Sequence, residues 1–316
     1  MPRLRRTLLA ALIAASIALP VSGAAHPAAV PAPTPADLGP LPAATPTALG
    51  ARYTASREGV RAAARAAAGH GDRRRALALR AMAGPDRHFL TFDGRDGGRT
   101  AEVFGDLSRA GRVAVLVPGA DTGLDTYERF RTDASALQRE LGPGAAVVAW
   151  LGYRTPGTTT PEVLTTDRAD GAAPGLRRFV RELTSAAPAA QVSLLCHSYG
   201  SVVCARAAPG LPLDTIVLFG SPGTGADHAD RLRTRAAVWA GRGSGDWIGE
   251  VPHTRLPLLF TTVGFGPDPV SPEFGARTFD AGSAGHADYL RPGSVSLRAI
   301  AGIVSGSTSS GEASRA

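Results

Sequence analysis

The chain has 316 residues, 44% hydrophobic and 19% charged, enough for one large domain with a sizeable core. Its 34 basic side chains are all arginine, and there is no lysine and no asparagine. That excludes a P-loop, a Schiff-base lysine, a Ser-Lys dyad, a Cys-His-Asn triad and any N-glycosylation acceptor.

The formal net charge of +7 does not read as a nucleic-acid footprint. Arg3, Arg5 and Arg6 fall in a leader-like segment, and the charge without them is about +4. The remaining arginines are scattered, apart from Arg73-Arg74-Arg75, which reads as a solvated helix face. The opening, MPRLRRTLLAALIAASIALPVSGAAHPAA, has a basic start, an apolar stretch too short for a membrane span, and small residues at Ala24 and Ala25. Residues 1–25 are therefore expected to be a signal peptide. Arg5-Arg6 leaves both the general and the twin-arginine export routes open. No cysteine stands near the cleavage site to take a lipid. The expectation is a secreted or cell-envelope protein.

Residues 26–48 are Pro/Ala-rich without an apolar period and read as a linker. Residues 49–82 are Ala/Arg-rich with helical spacing, up to Gly84-Pro85. From there apolar runs alternate with helical patterns. HFLTFDG (88–94) and AEVFGDL (101–107) read as a hairpin-like pair. RVAVLVPG (112–119) and AAVVAWLG (145–152) are near-continuous apolar runs, as strands covered on both faces need. Helices are expected over 125–141 and 175–187, with a Thr/Pro/Gly-rich loop before the second. QVSLLC (191–196) is the next strand, followed by a helix from SVVCARAA. DTIVLFG (214–220), AAVWAG (236–241), LPLLFTTVG (256–264) and GARTFDAG (275–282) follow as strands, and SVSLRAIAGIVSG (294–306) as a closing helix. This alternation predicts an α/β fold with a mostly parallel, doubly wound sheet over 49–306, and a polar tail over 307–316.

The chemistry concentrates at SLLCHSYGS (193–201). A serine nucleophile must project from the backbone, meet a base and face oxyanion donors. Ser198 stands where a buried strand hands over to a helix, in a near Gly-x-Ser-x-Gly pattern with Cys196 in place of the first glycine. The plain alternative is a serine N-cap. Tyr199 offers one backbone N–H to an oxyanion. Ala120, in the Pro118-Gly119-Ala120 turn after an earlier strand, offers the second, unless that turn is only a turn. The base should follow late in the chain, and His286 lies in a Gly-rich loop between the last strand and last helix. His197 adjoins the serine, and its side chain is expected to turn away into packing. For the acid, Asp246 in GRGSGDWIG follows a strand, with Trp247 and Ile248 placed to shield it; Asp268, between two prolines, is the rival. Cys196 and Cys204 are expected to be two buried thiols, because a strand end and a helix interior should lie beyond the reach of a disulfide.

With Ser198, Asp246 and His286 in order, the chain resembles the α/β-hydrolase superfamily. It is similar to a family of actinobacterial α/β-hydrolases that are often exported. The resembling segments are FGDLSRAGRVAVLVPGADTG, CHSYGSVV, VLFGSPG, WAGRGSGDWIG, FGPDPVSPEFGA and GHADYL. The resemblance implies Ser198 as nucleophile, His286 as base and Asp246 as acid. The first functional reading is a serine hydrolase, carboxylesterase- or lipase-like, acting through an acyl-enzyme on an ester, with a thioester or amide as the further options; the resemblance says little about substrate. An envelope acyltransferase on the same residues, or a non-catalytic binding protein on this scaffold, are the competing readings. No cofactor and no metal are expected: there is no His-Glu-x-x-His and no cysteine cluster. The expected partner is a small-molecule or lipid-like acyl substrate, with no nucleic acid and room for envelope association.

Overall fold

The structure is a computed structural model that describes residues 30–257 and 262–307. The expected signal peptide and most of the tail lie outside the described residues. None of the described helices is long and apolar enough to cross a membrane.

The order of elements is α1 (Pro46–His70), α2 (Arg73–Met82), β1 (His88–Asp93), β2 (Arg99–Phe104), β3 (Arg112–Val117), α3 (Tyr127–Leu141), β4 (Ala145–Leu151), α4 (Asp167–Ala186), β5 (Gln191–His197), α5 (Gly200–Ala207), β6 (Thr215–Phe219), β7 (Ala237–Gly241), β8 (Leu256–Pro257), β9 (Thr262–Val263), β10 (Arg277–Thr278) and α6 (Val295–Ser305). Eight strands form one sheet in the order β1-β2-β4-β3-β5-β6-β7-β10. β1–β2 and β2–β4 pair antiparallel; every other neighbour is parallel. The α/β, doubly wound architecture expected from the alternation is the one present.

The apolar runs explain the layers. All seven residues of β4 are buried, so neither face meets water. Alternate residues divide between the two faces. Val115, Val148, Leu194 and Ile216 share a core with Leu176, Phe179 and Val180 of α4 and Val202 and Val203 of α5. The other face carries α3 and α6, which pack against each other.

Several boundaries differ from the expectation, each for a physical reason. The 49–82 helix is two helices: Gly71, at φ +88°, ends α1, and the Asp72 carboxylate caps α2 by accepting from Arg75 N–H at 2.9 Å. Arg75 is not solvated; it is buried and forks onto Asp125. α4 starts at Asp167 rather than 175, because Pro174 is accommodated inside the helix instead of marking its start. The supposed linker is docked over its second half. Arg52 holds the Gly39 carbonyl, and the backbone N–H groups of Leu41 and Ala44 bond Glu182 and Ala186 of α4. The 256–264 run makes only the short β8–β9 hairpin, apart from the main sheet, and 258–261 lie outside the described residues. The 275–282 run shrinks to β10, two residues at the sheet edge.

The cysteines require a correction. Cys196 and Cys204 form a disulfide, with Cα atoms 6.3 Å apart. A strand end and a helix interior are expected to lie beyond bridging distance, and here they do not. The handover is tight: β5 ends at His197 and α5 begins at Gly200, so the helix folds back over the strand end and brings Cys204 within bridging range.

Candidate active site

The handover after β5 is a constrained point of the backbone. Ser198 has φ +52°, the left-handed region that residues with a Cβ avoid. Its N–H still donates to Phe219 O of β6, at 3.0 Å, so the strand runs into the turn without a break. The helix must then leave past the end of β3. A Cβ on Gly200 would stand 2.7 Å from the carbonyl oxygens of Val117 and Pro118, so a side chain there has no room. Ser198 is not an ordinary N-cap. Tyr199 holds the cap position, and the Ser198 Oγ is instead 2.9 Å from His286 Nε2.

The loop after β7 supplies Asp246. Its side chain is fully buried, and it caps the short turn Trp247–Glu250 by accepting from Ile248 N–H at 2.9 Å. The same carboxylate accepts from His286 Nδ1, at 2.9 and 3.1 Å, and from the Tyr289 hydroxyl at 2.6 Å. Burial alone would raise this carboxyl's pKa. The hydrogen bonds from His286, Tyr289 and Ile248 outweigh it and hold the group below its ordinary value. Asp246 therefore stays anionic through the mildly acidic range.

Asp268 is not brought to His286. Its carboxylate pairs with Arg242, lies 3.7 Å from His253 Nε2 and accepts from Val270 N–H. The structure thus joins Ser198, His286 and Asp246 and sets Asp268 in a separate ion pair.

Ala120 lies in a turn locked from two sides. The Tyr153 hydroxyl donates to Pro118 O at 2.7 Å, and Asp121, at φ +55°, takes the Thr158 hydroxyl at 2.6 Å. A Cβ on Gly119 would meet the Ser198 Cβ at 2.6 Å, so the backbone just before Ala120 abuts the serine. The Tyr199 side chain points away, donating to Thr165 O at 2.8 Å. Among the described residues, neither the Ala120 nor the Tyr199 N–H is given to a protein acceptor.

Three supporting residues were not legible in the sequence as such. Tyr289 holds Asp246. Arg129 of α3 donates to Ala287 O at 3.1 Å. His197 does not simply turn into packing: its Nε2 donates to the His286 carbonyl at 2.7 Å, while its ring stacks on Phe219. Burial, with the nearby His286, pushes its pKa down to about 3, so it is a neutral Nε2–H donor at working pH. The one available signal was Tyr289 three residues after His286 in GHADYL, too short a pattern to assign a role.

His197→Leu is expected to lower the rate of Ser198-dependent chemistry roughly 10- to 100-fold, by letting the His286 loop drift. His197→Gln, whose amide nitrogen can replace Nε2, should recover most of it. The loss should fall on kcat and not on KM; equal rates for the two variants would remove the positioning role. Among the described residues no group of three or more His, Cys, Asp or Glu is placed to hold a metal.

A family model described as alpha/beta hydrolase matches residues 93–256. An uncharacterized protein of Mycobacterium tuberculosis is 30% identical over 254 residues, covering 69% of this chain and 38% of that protein. A second one from the same organism is 32% identical over 143 residues, 40% of this chain and 53% of its own length. The chain thus spans well under two thirds of these relatives. Among solved structures, a serine hydrolase from Xanthomonas campestris aligns with TM-score 0.45 at 19% identity, over 71% of this chain and 94% of that one. A carboxylesterase from Mesorhizobium loti aligns with TM-score 0.45 at 14% identity, over 66% and 95%. The family match, spanning more than half of the sequence, covers β2 through β7 and so takes in both Ser198 and Asp246: the chain belongs to the alpha/beta hydrolase family.

Proposed function

We propose that the protein is a serine hydrolase that cleaves an acyl bond, an ester first and a thioester or amide second, through an acyl-enzyme. The observation that carries this reading is the unbroken hydrogen-bonded line from Ser198 Oγ through both ring nitrogens of His286 to Asp246. His286 Nε2 takes the Ser198 proton as Oγ attacks the acyl carbon. The N–H groups of Ala120 and Tyr199 hold the oxyanion. The imidazolium then gives its proton to the leaving alcohol, and water repeats the cycle in reverse. Asp246 keeps Nδ1 protonated and balances the imidazolium charge. The substrate is a small or lipid-like acyl compound. An exported site of action is part of the same proposal, supported by the leader-like opening and by a disulfide, which persists in oxidising compartments.

A fluorophosphonate probe tests the reading directly. The expected result is one adduct, which peptide mapping puts on Ser198. No adduct, or an adduct on another residue, would sink it.

A further inference from the structure

The His286 ring has an inner and an outer neighbour. Inside lies His197, 4.9 Å between ring centres, backed by Phe219 and Tyr289. Outside lies Trp247, 4.8 Å between ring centres and tilted by 47°. Trp247 is 54% exposed, although it directly follows the wholly buried Asp246 carboxylate and precedes buried Ile248. Its backbone is fixed by the Asp246 cap, so the indole is held at the lip of the site by the same carboxylate that orients the base.

We propose that Trp247 forms the subsite for the leaving alcohol, and that the alcohol it takes carries an apolar body of about the size of an aromatic ring. The inference rests on the serine-hydrolase reading above. In that chemistry the leaving oxygen must come within about 3 Å of His286 Nε2, which carries the proton. The inner side of the imidazole is filled by His197, so the rest of the leaving group must extend along the open side. On that side the half-exposed indole of Trp247 borders the imidazole. A half-exposed indole beside the base offers apolar area and aromatic stacking, but no charge. By microscopic reversibility the same surface receives any alcohol that replaces water in attacking the acyl-enzyme.

The test compares ethyl and 2-phenylethyl butyrate, whose alcohols have similar acidity and whose acyl groups are identical. The wild type is expected to favour the 2-phenylethyl ester in kcat/KM by about tenfold, the size of one aromatic contact. Trp247→Ala should bring that ratio to within about twofold of unity, and Trp247→Phe should keep most of it. A loss common to both esters cancels in the ratio, so a residue that only shields Asp246 and His286 from water leaves it unchanged. A second measurement uses the wild type alone: with the ethyl ester as acyl donor, 2-phenylethanol should divert more product to transesterification than ethanol at equal concentration. An unchanged ratio in Trp247→Ala, or a wild type that labels at Ser198 yet discriminates between neither esters nor acceptors, overturns the subsite. Absence of the Ser198 adduct sinks the hydrolase reading itself, and the subsite with it.

Discussion

On the proposed mechanism, in which Ser198, His286 and Asp246 act as one unit, Ser198→Ala is expected to lower turnover of a short ester by about six orders of magnitude, because losing the nucleophile then loses the work of all three. That corresponds to about 8 kcal/mol of transition-state stabilisation. The fold should survive. Alanine keeps the Cβ, so the turn at φ +52° carries the same backbone strain, and only the hydrogen bond to His286 Nε2 disappears. The thermal midpoint measured by circular dichroism should therefore move by only a few degrees. The double variant Ser198→Ala/His286→Ala carries the sharper consequence. If both side chains serve one step, adding the second change costs almost nothing further. Independent, multiplying losses, or a single-variant loss below about a hundredfold, would mean that Ser198 is not the nucleophile.

The strands were readable because a strand covered on both faces has no polar alternation to confuse it; β3, β4 and β6 stand within a residue or two of their apolar runs. The handover at Ser198 was readable for the same reason: a buried strand ended and a helical pattern began within three residues. What could not be read was anything decided by where two distant backbones meet. The Cys196–Cys204 bridge depends on how sharply the chain turns at Ser198, and the spacing of eight residues says nothing of that angle. His197 bonds a carbonyl 89 residues away, and Tyr289 a carboxylate 43 residues away; each is a side-chain contact without a local period. The docked segment 38–45 was misread because its composition suits a free linker. The Leu38, Gly39 and Pro40 carbonyls accept from a buried arginine, Arg52, that the helical pattern of α1 marks as just another charge. The choice between Asp246 and Asp268 stood open in the sequence because both follow strand-like runs in Gly- or Pro-rich loops. Arg242, four residues before Asp246, separates them by pairing with Asp268 alone.

Asp246→Asn is expected to cost about four orders of magnitude in turnover, and Asp268→Asn less than about tenfold. The carboxylate accepts three hydrogen bonds, from His286 Nδ1, Tyr289 and Ile248. An asparagine has one acceptor oxygen, so it cannot satisfy all three donors with the same geometry. If its amide nitrogen faces Nδ1, the imidazole must carry its proton on Nε2, the nitrogen that accepts from Ser198 in the proposed mechanism. The variant also removes the charge that, in that mechanism, balances the imidazolium. Asp268→Asn leaves Arg242 without its carboxylate but touches no part of the Ser198–His286 line. The two variants also separate in their dependence on pH. The folded Asp246 carboxyl has a lowered pKa, so its ionisation contributes stability that is fully present above the unfolded value of about 3.9 and is lost as pH falls through the folded value. The melting gap between wild type and Asp246→Asn should thus close as pH falls below about 4. Turnover of p-nitrophenyl butyrate and melting curves over falling pH are the two measurements. A large loss of turnover in Asp268→Asn with Asp246→Asn close to wild type would reverse the assignment, and a melting gap that stays fully open well below about pH 4 would contradict the charged, hydrogen-bonded state described for Asp246.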